Sequence, residues 1–334
     1  MTSGPSRPLL LVLNSAPLLL FIGVFVLFGS LSPNFLAPQN LVNILIQSSS
    51  TAIVAIGMTF VLLTAGVDLS VGAIMFVAAA VAGKLTLNGA PLWLALAAIV
   101  LIGVAGGLIN AFFITRLRIV AFIVTLATLY LGRGFALWIT QTRAMNLPDS
   151  FLLIGTTRLV GVPLPLLLLA GILLIAHLVL MRTPFGRQIY AVGQNAEAAR
   201  KAGINTRRIL ASVYVISGFC AAVGGIVSLA QLGAVSPTFG TNKEFSAIAA
   251  AVLGGASLFG GRGKVFPGTL LGAVLIQTVE NGLVILNADP YLYPLITSAI
   301  IFLAVLIDSV RTGLLTKWSR RRIRVEEPAS HSHS

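Results

Sequence analysis

Charge is scarce in this sequence. Asp, Glu, Lys and Arg together make up 9% of its 334 residues, where a soluble domain carries about 25%. With 57% of the residues hydrophobic, too little polar surface is left to clothe a water-soluble fold, and the excess apolar surface must meet lipid. Cysteine is nearly absent as well. The single Cys220 lies in the apolar run from Val215 to Val223, which excludes an intramolecular disulfide and a Cys-based metal site and leaves the redox compartment open. Two of the three histidines, His331 and His333, fall in a Ser- and His-rich tail that reads as disordered, so no metal site is expected. The third, His177, has no acid or base nearby in sequence, which argues against a membrane-embedded enzyme built on a paired acid and base. A phosphate loop is also lacking: Lys264, in the most glycine-rich stretch, is followed by Val265, where nucleotide binding needs Ser or Thr.

Long apolar runs, by contrast, are abundant. A helix needs roughly 20 apolar residues to cross a bilayer. Runs of that order fall at 9–30, 41–64, 69–88, 91–115, 119–141, 163–182, 207–232, 244–260, 266–286 and 292–310. We read an all-α integral membrane protein of about ten transmembrane helices in one domain. The first run follows Arg7 with no small-residue cleavage site, so an uncleaved span is expected rather than a signal peptide.

Assigning alternate loops to opposite sides tests this count. One side then holds seventeen basic residues: Arg7, Arg116, Arg118, Arg182, Arg187, Arg200, Lys201, Arg207, Arg208, Arg262, Lys264, Arg311, Lys317, Arg320, Arg321, Arg322 and Arg324. The other holds five, Lys84, Arg133, Arg143, Arg158 and Lys243. Cytoplasmic loops are enriched in Lys and Arg, so an even number of spans with both termini in the cytoplasm is expected. The formal net charge of +13 is then a topology signal and not a nucleic-acid footprint. The basic tail 311–334 reads as an orientation signal, partly disordered, with contact to anionic lipid in addition.

Two connections are long. The outer segment 142–162 is either a surface for an extracytoplasmic partner or a loose link. The cytoplasmic segment 183–206 carries helix signals: Asn195 suits an N-cap, Glu197 the first turn, Arg200 and Lys201 the last turn, and Gly203 the C-terminal stop. About two turns of helix are unstable alone in water, so packing must hold this one through its small face of Ala196, Ala199 and Ala202. Two readings stand: an amphipathic helix resting on the membrane or on the protein itself, and a docking helix that carries force from a cytosolic protein.

Within the spans, Asp68 is either the N-cap of the helix that follows, accepting from the Ser70 and Val71 amides, or part of a solute path. The two are compatible where a broken helix opens in the path. Gly268 and Gly272, like Gly103 and Gly107, have the spacing that lets helix backbones approach closely, while Gly260 and Gly261 suit an irregular turn. Both glycine-containing breaks, after 57–66 and at 254–263, sit between an apolar run and a helix with small residues, which suggests two related halves. Gln47, Ser48, Thr51, Asp68, Ser70, Asn110, Thr125, Glu280 and Asn281 are candidates to line a path for a neutral, hydroxyl-rich solute. Interhelical hydrogen bonding is the competing role for each.

Three stretches, GMTFVLLTAGVDLSVGA (57–73), TPFGRQIYAVGQNAEAARKAGI (183–204) and EFSAIAAAVLGGASLFGGRGKVFPGTLLGA (244–273), resemble the ribose-type, monosaccharide permeases of ATP-binding cassette importers, within the branched-chain amino acid and ribose-type permease superfamily. The resemblance implies a type II importer fold with pseudo-repeated halves and broken or short helices near the centre, in the bacterial inner membrane. It implies a cytosolic ATP-binding subunit, an extracytoplasmic sugar-binding protein and a second permease copy or paralogue as partners. ATP and Mg would be bound by the partner subunits, with no cofactor in this chain. Coupling to the ATPase is thereby carried to Gly186, Arg187, Tyr190, Gly193, Asn195, Glu197, Ala198, Ala199, Arg200 and Gly203. The alternative reading is a secondary transporter coupled to an ion gradient. It would need several intramembrane ionisable groups, and only Asp68, Glu280 and Asp308 offer themselves.

Overall fold

The computed structural model describes residues 16–293 and, beyond them, 295, 296, 298, 299, 302 and 306. The start of the first apolar run, much of the tenth and the basic tail 311–334 lie outside the described residues. The chain is built from helices: α1 (Ala16–Leu31), α2 (Pro38–Leu63), α3 (Val71–Leu87), α4 (Leu92–Thr115), α5 (Ala121–Thr140), α6 (Asp149–Thr156), α7 (Leu164–Arg182), α8 (Pro184–Gln194), α9 (Ala196–Lys201), α10 (Thr206–Leu232), α11 (Lys243–Leu253) and α12 (Leu270–Ile285). Two antiparallel two-residue strand pairs, Met145–Asn146 with Ala234–Val235 and Arg158–Leu159 with Val162–Pro163, tie down connecting segments.

Among the described residues, six helices are long and apolar enough to cross a membrane: α2, α4, α5, α7, α10 and the stretch Val265–Ile285 that contains α12. α1 and α3 are apolar but shorter. At the centre stands α2, buried without interruption from Ser48 to Leu63. Around it, α4, α5 and α7 turn large side chains outward, among them Leu101, Phe122, Leu131, Trp138, Leu174 and Ile175. An apolar exterior on helices with satisfied backbones is the arrangement lipid requires.

Close approach of the helices depends on residues without side chains. Gly103 of α4 and Gly218 of α10 lie so near that a Cβ on either would overlap the other's carbonyl oxygen, and Gly107 packs on the backbone of Tyr214 and Val215. Gly268 meets Gly254, and Gly272 meets Ala250, where α12 crosses α11. This is the small-residue packing that replaces the hydrophobic effect between helices in lipid.

The run 244–260 is not a full span. Its helix, α11, ends at Leu253, because Gly255, Gly260, Gly261 and Gly263 all take positive φ values and the chain turns irregularly. Eleven residues of helix are about 16 Å long, roughly half a bilayer core. The other end of α11 also lies at depth. The Lys243 ammonium donates to Thr51 Oγ1 at 2.9 Å, and Thr51 is near the middle of α2. Gly240, just before α11, packs its backbone on Gly72 at the start of α3. Thus α3 and α11 both begin inside the bundle. Lys243, expected among the outer loop charges, is drawn inward because the segment 236–242 re-enters the fold before α11 starts. Arg133 is likewise not in a loop: it lies within α5, more than a turn from that helix's end.

Candidate functional site

Three groups of residues matter, and the first is the loop 183–206. It holds two helices where the end signals pointed to one. Thr183 caps α8, accepting from the Gly186 amide at 3.1 Å, and Pro184 fits the first turn. Ile189 and Val192 bury one face of α8, an apolar spacing of three that the capping signals of Asn195 overshadow. Asn195 then caps α9, its Oδ1 accepting from the Glu197 and Ala198 amides at 3.0 and 2.9 Å. Ala199 is buried against the chain's own fold, while Ala196, Glu197, Ala198, Arg200, Lys201 and Gly203 face outward and Glu197 pairs with Lys201 at 3.1 Å. Arg187 is exposed on α8. Replacing Asn195 with alanine removes acceptors for two amides and is expected to cost about 1 kcal/mol of local helix stability. Amide hydrogen exchange, faster at 196–201 and unchanged in α10, would register it.

The loop is fastened at two points. Gly193 lies against the Leu63 carbonyl at the end of α2 and the amide of Gly261, which itself donates to Leu63 O at 2.9 Å. Tyr190 donates its hydroxyl to the Gly263 carbonyl at 2.7 Å. Burial pushes the Tyr190 phenol up from its ordinary range, so it stays a donor across physiological pH. Through these contacts α8 bears at once on the break after α2 and on the Gly260 to Gly263 turn, where Gly260 meets both Gly193 and Ala65.

The second group is the polar knot at the α2–α3 break. Asp68 is fully buried; its Oδ1 accepts from the Ser70 amide at 3.0 Å and hydroxyl at 2.6 Å, and its Oδ2 from Ser217 Oγ at 2.7 Å. Asn110 donates to Ser70 Oγ at 2.8 Å and accepts from Thr128 at 2.7 Å. Four elements, the break, α4, α5 and α10, are joined by one chain of side-chain hydrogen bonds. Thr125 turns its hydroxyl back to the Ala121 carbonyl at 3.0 Å, with the Val67 carbonyl 3.4 Å away. Ser70, Asn110, Thr125 and Ser217 are fully buried too, so in this single chain the knot seals rather than lines a space.

The third group descends along one face of α2. Asn40 and Asn281 exchange amide hydrogen bonds at 2.9 and 3.0 Å, Gln277 donates to Gln47 at 3.0 Å, and Lys243 donates to Thr51. Glu280, between Gln277 and Asn281 on α12, brings a carboxylate to the same side with no direct ion pair to Lys243. Gln47 is exposed, and Lys243, Gln277 and Glu280 are partly so. Ser48 belongs to neither polar group, since its hydroxyl turns back to the Leu45 carbonyl at 2.9 Å.

Sequence reasoning missed Lys243, Glu244, Arg133, Ser217 and Gln277 as site residues. Arg133 Nη2 and the nearly fully buried Glu244 Oε2 have no hydrogen-bond partner among the described residues. One signal was available: Arg133 stands inside the apolar run 119–141, where an ionisable residue is costly enough to suggest a role. For Ser217 no local signal exists.

Comparison with known proteins follows the same lines. The family described as branched-chain amino acid transport system / permease component matches residues 40–307. The chain is 38% identical over 303 residues to the ribose import permease of Escherichia coli K12, covering 89% of this chain and 94% of that protein. It is 37% identical over 297 residues to the ribose import permease of Haemophilus influenzae, covering 86% and 92%. With the D-allose transport system permease of Escherichia coli K12 the identity is 37% over 288 residues, 85% of this chain and 88% of that protein. No solved structure gives a significant match. The resemblance carried by the three motifs thus extends over most of the chain, and the protein belongs to the branched-chain amino acid transport system permease component family.

Proposed function

We propose that this chain is the membrane-spanning permease subunit of an ATP-driven importer that moves a monosaccharide, or a similar small polyhydroxylated solute, into the cytoplasm. The names of its ribose and D-allose relatives support the substrate class. The observation that carries the coupling is the double attachment of α8, through Gly193 to Leu63 and through Tyr190 to Gly263. A push on α8 and α9 reaches both helix breaks without passing through flexible chain. The working assembly is two permease copies or paralogues, a cytosolic ATP-binding subunit that docks on the outward-facing residues of α9, and an extracytoplasmic binding protein.

Orientation follows from charge. Arg116, Arg118, Arg182, Arg187, Arg207, Arg208, Arg262 and Lys264 gather at the loop end of the bundle, while Lys84, Arg143 and Arg158 lie at the other. Cytoplasmic enrichment in basic residues places the loop end inside the cell. In the full chain about ten spans, with both termini in the cytoplasm, complete the subunit, and the breaks after α2 and at 254–263 are the corresponding breaks of two related halves.

Replacing Glu197 and Arg200 together with alanine tests the coupling. Both are exposed, so the permease is expected to fold and reach the membrane normally while uptake and solute-stimulated ATP hydrolysis fall about tenfold, the effect of removing charged contacts at an interface. Uptake and subunit assembly at wild-type levels would refute the coupling role.

A further inference from the structure

The polar face of α2 stops abruptly. From Asn40 to Thr51 it runs about 16 Å, half the depth of a bilayer core, in matched pairs with Asn281, Gln277 and Lys243. Beyond Thr51 the helix is wholly buried to Leu63, and its one further cross-helix side-chain bond, Thr59 to Thr269, is closed within the fold. Partly exposed ionisable groups at mid-depth cannot face hydrocarbon. Irregular backbone such as 236–242 is tolerated there only against protein or a water-filled space. Both constraints point to the same place, the space in front of Gln47, Gln277, Lys243 and Glu280.

We propose that this face is the outer half of a water-filled solute path, and that Lys243 at its base and Glu280, between the levels of Gln277 and Asn281, form its selectivity element. An ammonium and a carboxylate on one face offer donor and acceptor together. A sugar hydroxyl, which donates and accepts, satisfies both at once, whereas an anion is opposed by Glu280 and a cation by Lys243. Gln47 and Gln277, between the levels of Glu280 and Lys243, repeat the same donor and acceptor offer, weakly enough for release. The fully buried Asp68 knot is excluded from solute contact on this account and holds the helices instead. The proposal rests on the import reading for the class of solute.

The test does not need the sugar to be known. The native chain has one cysteine, the buried Cys220, so single Gln47→Cys, Gln277→Cys and Asn110→Cys variants of the full chain can be treated from outside, in cells expressing the complete transporter, with membrane-impermeant methanethiosulfonates. Gln47→Cys and Gln277→Cys are expected to react at least about tenfold faster than Cys220 or Asn110→Cys, since hydrated thiols ionise and buried ones do not. In the Gln277→Cys chain, Lys243→Met is expected to lower the ratio of rates for anionic over cationic reagent about threefold or more, and Glu280→Gln to raise it, because each removes one sign of charge from the path. Rates no faster than Cys220, reaction with a lipid-soluble maleimide alone, or a disulfide between two copies at Gln47→Cys without aqueous labelling would each overturn the water-filled path. Unchanged charge ratios would overturn the role of the pair. A wrong substrate class leaves all these rates as expected and shows only in uptake.

Discussion

Replacing Gly193 with valine is expected to detach the loop 183–206 from the end of α2 and abolish transport, the largest effect of any single substitution in that loop. A Cβ at this position would overlap the Leu63 carbonyl and come within 2.6 Å of the Gly261 amide nitrogen. Both neighbours are backbone, held to each other by a hydrogen bond, so neither can turn aside as a side chain would. Overpacking a tight core site costs roughly 1–3 kcal/mol where side chains can shift. Here α8 must move off the end of α2, and the upper end of that range or more is expected. Two comparisons separate this from a general glycine effect. Gly134 on α5 has open space where a Cβ would go, so Gly134→Ala is expected to be neutral or slightly stabilising through helix propensity. Gly203 has equal space but a φ of 84°, so alanine there is expected to cost about 1 kcal/mol of backbone strain. The checks are the thermal midpoint of the purified permease in detergent and recovery of the ATP-binding subunit with it. If Gly193→Val retained both at the level of Gly134→Ala, the loop would not be fastened as described.

The second large effect is expected at Asp68. Asp68→Ala removes the acceptor for the Ser70 amide, the Ser70 hydroxyl and the Ser217 hydroxyl together, inside a fully buried site that water does not reach. A buried donor left without a partner costs about 1–3 kcal/mol, and with three affected the variant is expected to lose folded protein altogether. Asp68→Asn is the informative companion. Its Oδ1 can still accept both bonds from Ser70, and its Nδ2 can donate to Ser217, whose own hydroxyl hydrogen then turns to the carbonyl one turn back in α10. A milder loss of roughly 1–2 kcal/mol is expected. Monodispersity on size exclusion and thermal unfolding would rank the pair. Asn as damaging as Ala would mean that the carboxylate charge, and not the hydrogen-bond geometry, is what the site requires.

These substitutions differ in how legible their sites were. The cap at Asn195 could be read because its partners, the Glu197 and Ala198 amides, lie two and three residues away, and capping depends on nothing more distant. Asp68 was legible halfway: the Ser70 amide is local, but Val71 is not a partner as expected, and Ser217 and Asn110 come from helices far along the chain. The Gly103 and Gly107 pair announced a close helix contact, yet its partner Gly218 has no glycine four residues away in its own helix. Lys243 was misplaced for a definite reason. A basic residue at the edge of an apolar run marks topology in most membrane proteins, and nothing local to it tells that the preceding segment turns back into the bundle.

What the sequence determined alone was therefore the class of solvent and the local helix grammar. Scarcity of charge and abundance of apolar runs demand lipid, because the balance of apolar to polar surface is a property of composition, and caps and glycine stops act over three or four residues. Three motifs in order carried the family. Only the tertiary structure decided which polar groups meet: the knot of Asp68 with Ser217 and Asn110, the half-length α11, and the row from Asn40 to Lys243 along α2. In a membrane interior a buried polar group left without a partner is costly. Which partner it finds is set by how helices distant in sequence pack against one another, and that information is spread over the whole chain.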